Sequence, residues 1–149
     1  MDAFERVLRA LCVTVGIDEV EAVIASSEIV IDGLALQFIA PQEEGATMVI
    51  FADLGVPEEM RRADVHRLLL EGNHLWQGTG GGVLGVHPAT GVVGLSAGVG
   101  LAGLEGGDLA ELVARFVTVA EYWQGVVRQP LGGDAPEGGM APDAFFVRG

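Results

Sequence analysis

The sequence predicts an α+β fold in the order α-β-β-β-α-β-β-α, with helices packed on a twisted antiparallel sheet. Three observations predict it. Apolar residues recur at helical spacing near the start, in the middle and near the end of the chain. Between these stretches lie short β-prone runs separated by glycine-bearing turns. The length, 149 residues, suits one domain around one core.

Asp2 is placed to cap a first helix, with Glu5 completing a capping-box spacing. Phe4, Val7, Leu8, Leu11 and Val15 then form its apolar stripe, and Gly16 is a plausible stop. Residues 17–27 are ambiguous, with a short helical turn possible over Glu19 to Ala25. The first strand is Glu28-Ile29-Val30-Ile31. Asp32-Gly33 then reads as a tight hairpin turn into a second strand, Leu34 to Ile39. Pro41 to Gly45 reads as another turn, and Thr47 to Asp53 as a third strand. Pro57 fits a first helical position, with Glu58 and Glu59 at the positive end of the helix dipole. Val65, Leu68, Leu69, Gly72 and Trp76 fall on one stripe of that second helix. A glycine there weakens the helix, and its benefit is close approach of another backbone. Gly82 to His87 and Val92 to Ala97 read as two strands joined by Pro88-Ala89-Thr90-Gly91. Asp108 is placed to cap the last helix. Its apolar face is Leu109, Leu112, Val113, Phe116, Val117, Ala120 and Trp123. The expected domain therefore spans 1–129. A Gly/Pro-rich tail, 130–149, is expected to be flexible, although Phe145-Phe146-Val147 is unusual in such a segment and marks it as either a loosely folded end or a docking segment.

The charge balance excludes several functions. Acidic residues number 21 and basic ones 8, all Arg, for a net charge of −13. Such a chain lacks the basic patch needed for nucleic acid or an anionic membrane surface. Half the residues are nevertheless hydrophobic and mean hydropathy is +0.42, so the chain is not an acidic disordered segment. Gly72 to Leu104 carries no charge, but its eleven glycines and Pro88 argue against a spanning helix and membrane insertion. The N-terminus shows no signal-peptide pattern, and a single cysteine, Cys12, points to a buried inert thiol in a cytoplasmic setting.

Motifs for chemistry are missing. His66 and His74 are eight residues apart, which is not the spacing of a zinc helix; Glu71 and His74 make half a site at most. Thr79-Gly80-Gly81-Gly82 lacks the Lys of a P-loop and is followed by a strand rather than a helix. Ser26, Ser27 and Ser96 lie in no nucleophile elbow. No catalytic residue, metal ligand or cofactor is implied, so the chain reads as a non-enzyme.

The positive signal is surplus apolar surface. A sheet with one wet face alternates apolar and polar residues. Here Met48 and Ile50 oppose Val49 and Phe51, Ile29 and Ile31 oppose Val30, and the second strand is apolar except for Gln37. Either helices cover both faces, or some of this surface is exposed or covered by another chain.

Taken in order, these elements resemble the class I chaperones of bacterial type III secretion, the Tir-chaperone family. Phe4 to Leu11 is similar to that family's opening helix. Leu68-Leu69-Leu70-Glu71-Gly72-Asn73 is similar to the end of its second helix. Gly82 to Pro88 with Gly91 to Leu95 resembles its second hairpin, and Leu109 to Phe116 with Ala120 to Trp123 its last helix. The likeness covers roughly residues 3 to 125; residues 17–27 and the tail depart from it. The resemblance implies a cytoplasmic homodimer without ATPase activity. Such a protein binds the N-terminal region of a secreted effector in extended form and keeps it soluble and export-ready. The expected client surface is Phe4, Leu8, Ile29, Ile31, Leu36, Phe38, Val49 and Phe51, with the choice of sheet face open. The expected dimer interface is Val65, Leu68, Leu69, Gly72, Leu75, Trp76, Val83 and Val86. The alternatives are a non-secretory structural or regulatory adaptor of the same fold, or a small-ligand binder or enzyme using a pocket beside His66 and His74.

Overall fold

A computed structural model describes residues 2–42 and 47–130. The expected tail from residue 131, and most of the expected Pro41 to Gly45 turn, lie outside the described residues.

The chain begins with α1 (Ala3–Val15), capped where the sequence places the cap: the Glu5 backbone N–H donates to Asp2 Oδ1 at 2.8 Å. The ambiguous segment folds as a distinct short helix, α2 (Val20–Ser26), which the expected element order lacks. Arg9 holds it to α1, donating to Glu5 Oε1 at 2.9 Å and Glu21 Oε1 at 2.7 Å. Through these hydrogen bonds Arg9 keeps the Glu21 carboxyl below the usual carboxylate range. That contribution is present above the unfolded-state pKa and is lost as pH falls through the lowered folded value.

Strands β1 (Glu28–Ile31) and β2 (Leu34–Ile39) form the hairpin. Asp32 and Gly33 both have positive φ, 51° and 80°, the backbone that an Asp-Gly two-residue turn accommodates. After β3 (Thr47–Gly55) the chain makes a 3₁₀ turn at Glu59–Arg61 and enters α3 (Arg62–Asn73). Pro57 is therefore not the first helical residue; it is buried ahead of the turn. The helix stops before Trp76. Leu75 and Trp76 both adopt left-handed backbone, φ 53° and 56°, so Trp76 leaves the stripe it was expected to extend. Strands β4 (Val83–Val86) and β5 (Val93–Gly100) follow, then α4 (Gly106–Arg128). Asp108 lies at the third helical position rather than the cap, where its carboxylate accepts from the Glu105 backbone N–H at 3.2 Å.

All five strands pair antiparallel in the order β1-β2-β3-β5-β4. Period-two burial follows from the pleat. One row across the sheet is Ile29, Leu36, Ala52, Leu95 and Leu84, all buried. The adjacent row is Glu28, Gln37, Phe51, Ser96 and Val83, none of them buried. The core lies on the first side, where α1 and α4 pack on each other and α4 crosses β3 and β5. Every apolar residue expected on the inner face of α4 is buried.

Gly72 is where α3 meets the Trp123 side chain of α4. A Cβ there would lie 2.7 Å from Trp123 Cη2. The same indole donates from Nε1 to the Gly78 carbonyl at 2.7 Å, and Gly78 N–H donates to Gly72 O at 2.9 Å. One turn-forming glycine pair and one tryptophan thus lock the end of α3 over the sheet. Beside them, Asn73 Nδ2 donates to Leu84 O and Asn73 Oδ1 accepts from Leu84 N–H, both at 2.9 Å. Asn73→Ala leaves both Leu84 backbone groups without that partner. It is expected to cost about 1–3 kcal/mol in chemical denaturation.

Candidate functional site

Two surfaces on the sheet lack cover from the described chain. The first is the face opposite the helices. Ala35, Ile39 and Val83 are exposed there, with Val49 and Phe51 partly so, among Gly94, Ser96 and Gly98. The Phe51 ring lies along β5, where a Cβ at Gly94 would come within 2.6 Å of Phe51 Cε2. A depression of about 490 Å³ opens beside it, lined by Phe51, Asp53, Val83, Gly85 and Val86 among others. Glu28, Gln37, Thr47, Asp53 and Ser96 are the polar interruptions of this face.

The second is the outer edge of β1. Ser27 O accepts from Phe38 N–H at 2.8 Å, so the backbone groups of Ser27, Ile29 and Ile31 turn toward β2. Those of Glu28 and Val30 turn outward. The Glu28 N–H is taken by Ser26 Oγ at 3.2 Å. The side chain of Val30 is 62% exposed. Along this edge runs a groove of about 550 Å³ between β1, the end of α1 and one side of α4. Val15, Ile17 and Val30 make its apolar walls, with the buried Val113 and the nearly buried Val117 behind them, Ala110 and Ala114 leave it room, and Asp32 and Glu121 give it acidic ends. A smaller hollow of about 230 Å³ continues past Val30 toward Val23 and Glu28. At the opposite edge, on β4, the outward groups of Leu84 are already bonded to Asn73. The β1 edge is thus the better receptor for an added strand.

The expected client residues divide between these surfaces and the core. Leu8, Ile29, Leu36 and Phe38 are 3% exposed or less and pack under α1 and α4, so they present no surface to a partner. Phe4 and Ile31 are partly buried against the core. Val49 and Phe51 lie on the open face. Of the expected dimer residues, Val65, Leu69 and Gly72 face the chain's own core, and Leu68 is partly buried. Leu75, Trp76, Val83 and Val86 are exposed, joined by Leu70.

Sequence reasoning missed Val30 and the α4 side of the groove. Val30 alternates with Ile29 and Ile31, which is the signal for the opposite face; Ala110, Ala114, Thr118 and Glu121 recur at helical spacing beside the expected apolar face. The histidines do not converge on anything: His66 is half-buried on α3 and His74 and His87 are exposed. His87 Nδ1 accepts from Ala89 and Thr90 N–H at 3.1 and 3.3 Å, which shapes the β4–β5 turn. Among the described residues, no group of three or more His, Cys, Asp or Glu side chains could hold a metal ion. Cys12 is buried, and that burial pushes its thiol pKa up, the direction of an unreactive thiol. Among the described residues, no helix is long and apolar enough to cross a membrane.

These features define an α+β domain whose sheet, among the described residues, is roofed by helices on one face and left uncovered on the other. The chain belongs to the Tir chaperone protein (CesT) family, whose model matches residues 6–124. Among solved structures it is similar to a chain of the ExsC–ExsE complex, at 20% identity and a TM-score of 0.66, covering 86% of this chain and 98% of that one. It is also similar to a chain of the HopA1–SchA chaperone–effector complex, at 13% identity and a TM-score of 0.57, covering 85% and 93%. At these identities the likeness speaks to the fold, which is the one the sequence predicts apart from the added α2. No curated protein matches the chain by sequence.

Proposed function

We propose that this chain is a type III secretion chaperone. It binds the N-terminal segment of a secreted effector in extended form and keeps it soluble and export-competent. It works in the cytoplasm without catalysis or cofactor. Membership of a chaperone family supports this reading, as does the likeness to a structure described as a chaperone–effector complex. The observation that carries it is the bare sheet edge at β1 beside an apolar groove, continuous with an uncovered apolar face. An extended segment satisfies the outward Val30 backbone groups and drops alternate side chains into the groove. Ordering such a segment costs about 2–5 kcal/mol, which contacts over both surfaces have to offset.

The proposed client contacts are Val30, Ile31, Val49, Phe51 and the groove wall at Val117, with Phe4 at the periphery. The proposed homodimer uses Leu70, Leu75, Trp76, Val83 and Val86 at the α3–β4 corner, a patch that a two-fold axis brings against its own copy. Trp76→Asp is expected to convert the dimer to monomer in analytical ultracentrifugation at micromolar concentration. A wild-type monomer there ends the dimer assignment.

The functional test is co-expression with the neighbouring open reading frames, followed by affinity purification and mass spectrometry. The expected product is a stoichiometric complex held through the partner's N-terminal region. Val30→Asp should lose that partner, yet shift stability by no more than about 0.5 kcal/mol, as for an exposed position. A partner retained by folded Val30→Asp protein contradicts the β1 assignment. A partner that is bound but never exported favours the non-secretory adaptor.

A further inference from the structure

The groove at β1 has a candidate occupant within the chain itself. We propose that Phe145-Phe146-Val147 adds to the outer edge of β1 and fills the groove when no client is bound. The chain would then carry its own placeholder for that site. This rests on the reading of the groove as the client site and adds a regulator to it.

The segment lies beyond the part of the chain that the family match covers. The family match ends at residue 124, and the chain from the ExsC–ExsE complex is 98% covered while leaving part of this chain unmatched. Its chemistry suits the groove. Three successive residues of high β propensity stand among glycines and prolines, so the tripeptide is the one stretch there able to extend a sheet. On an added strand, alternate side chains point to opposite faces. Phe145 and Val147 would share one side and Phe146 the other, matching a groove on the helix side of β1 and bare sheet on the other.

Charge and reach agree with this choice. Arg148 directly follows the apolar run, and the groove ends in Asp32 and Glu121. The chain leaves the fold from α4, the helix that lines the groove. Arg61 Nη1 fixes its end by donating to Val126 O at 2.9 Å and Gln129 O at 2.6 Å. From Glu121 to Arg128 is only about 10 Å along the helix axis. Pro130 to Phe145 is fifteen residues. Fully extended these span roughly 50 Å, and as a random coil about 21 Å. Either regime brings the tripeptide to the groove of its own subunit.

The test uses the full chain. A fluorescein-labelled synthetic peptide of residues 141–149 is titrated into wild-type protein and into the double variant Phe145→Asp/Phe146→Asp, read by anisotropy. A tethered segment acts at an effective concentration of about 1 mM, so a peptide of roughly 100 μM affinity should bind wild type about tenfold more weakly than the double variant. Val30→Asp in the double variant should abolish peptide binding. In ¹⁵N spectra, the two tail substitutions should shift amides of Val30, Ile31, Ala114 and Val117. Equal affinity for wild type and double variant, no binding to the double variant, or shifts confined to other elements overturns the proposal. The client reading fails separately. If Val30→Asp strips the effector while the peptide binds neither protein, the placeholder is wrong and the client site stands. If the peptide binds as described while the effector is retained by Val30→Asp, the placeholder stands and the client site is wrong.

Discussion

Phe38→Glu is expected to unfold the domain, whereas Phe51→Glu, on the neighbouring strand, is expected to leave it folded and abolish client binding. The two phenylalanines are close in space and similar in sequence context, and the pleat sends them to opposite faces. Phe38 is 2% exposed within the core. Removing a buried Phe side chain costs about 3–5 kcal/mol, and a carboxylate in its place adds the cost of burying an unpaired charge. A domain of this size has about 5–15 kcal/mol in all. Phe51 lies on the bare face over Gly94, where a glutamate stays hydrated. Its loss of ring contact is expected to cost about 1 kcal/mol. Urea denaturation separates the two outcomes: no cooperative transition for Phe38→Glu, and a near-native midpoint for Phe51→Glu. A cooperative Phe38→Glu protein would mean that the sheet faces are assigned the wrong way round.

The second large effect is where Gly72 of α3 meets Trp123 of α4. An ordinary Gly→Ala change inside a helix stabilises by about 0.5–1 kcal/mol. Gly72→Ala is expected to have the opposite sign, because the new methyl group meets the Trp123 indole. That ring is itself buried and tied to Gly78 O, so it has little room to yield. Overpacking of this kind costs about 1–3 kcal/mol. Losing the indole hydrogen bond as well adds about 1–3 kcal/mol if Gly78 O is left unpaired. Gly72→Val should be worse still. The direct check is a double-mutant cycle with Trp123→Phe, whose smaller ring vacates the contested space. A coupling of about 0.5–3 kcal/mol is expected, and strict additivity would show that the two residues do not meet.

Much of this architecture was legible in the sequence, for physical reasons visible at particular residues. Asp2, Asp32-Gly33 and the α4 stripe are local signals, and each formed the element it specifies. The surplus of apolar strand residues was also legible. Which side of the sheet is bare was not, because both sides of β1 and β3 are apolar. The discriminating residues are Gln37, Ser96 and Val83, far apart in the chain, and only the register brings them into one row with Phe51. That is why Leu36 and Phe38 were expected at the client surface and are found in the core. Trp76 was misplaced for another reason. Left-handed backbone at two successive non-glycine residues lies inside the loop that the Gly72–Gly78–Trp123 hydrogen bonds close, and it has no local sequence signal. The short α2 lacks a side-chain cap, so its presence depends on tertiary contacts such as Arg9 with Glu21.

Hydrogen–deuterium exchange on the purified complex tests the account most directly. An extended client lying on the edge of β1 gives the outward N–H of Val30 a new acceptor, so exchange there should slow by at least tenfold on client binding. Residues 49–52 of β3 should show little change, being already paired on both sides. Protection confined to the outer surfaces of the helices, with β1 exchanging as in the free protein, would contradict the claim that this uncapped strand receives the client.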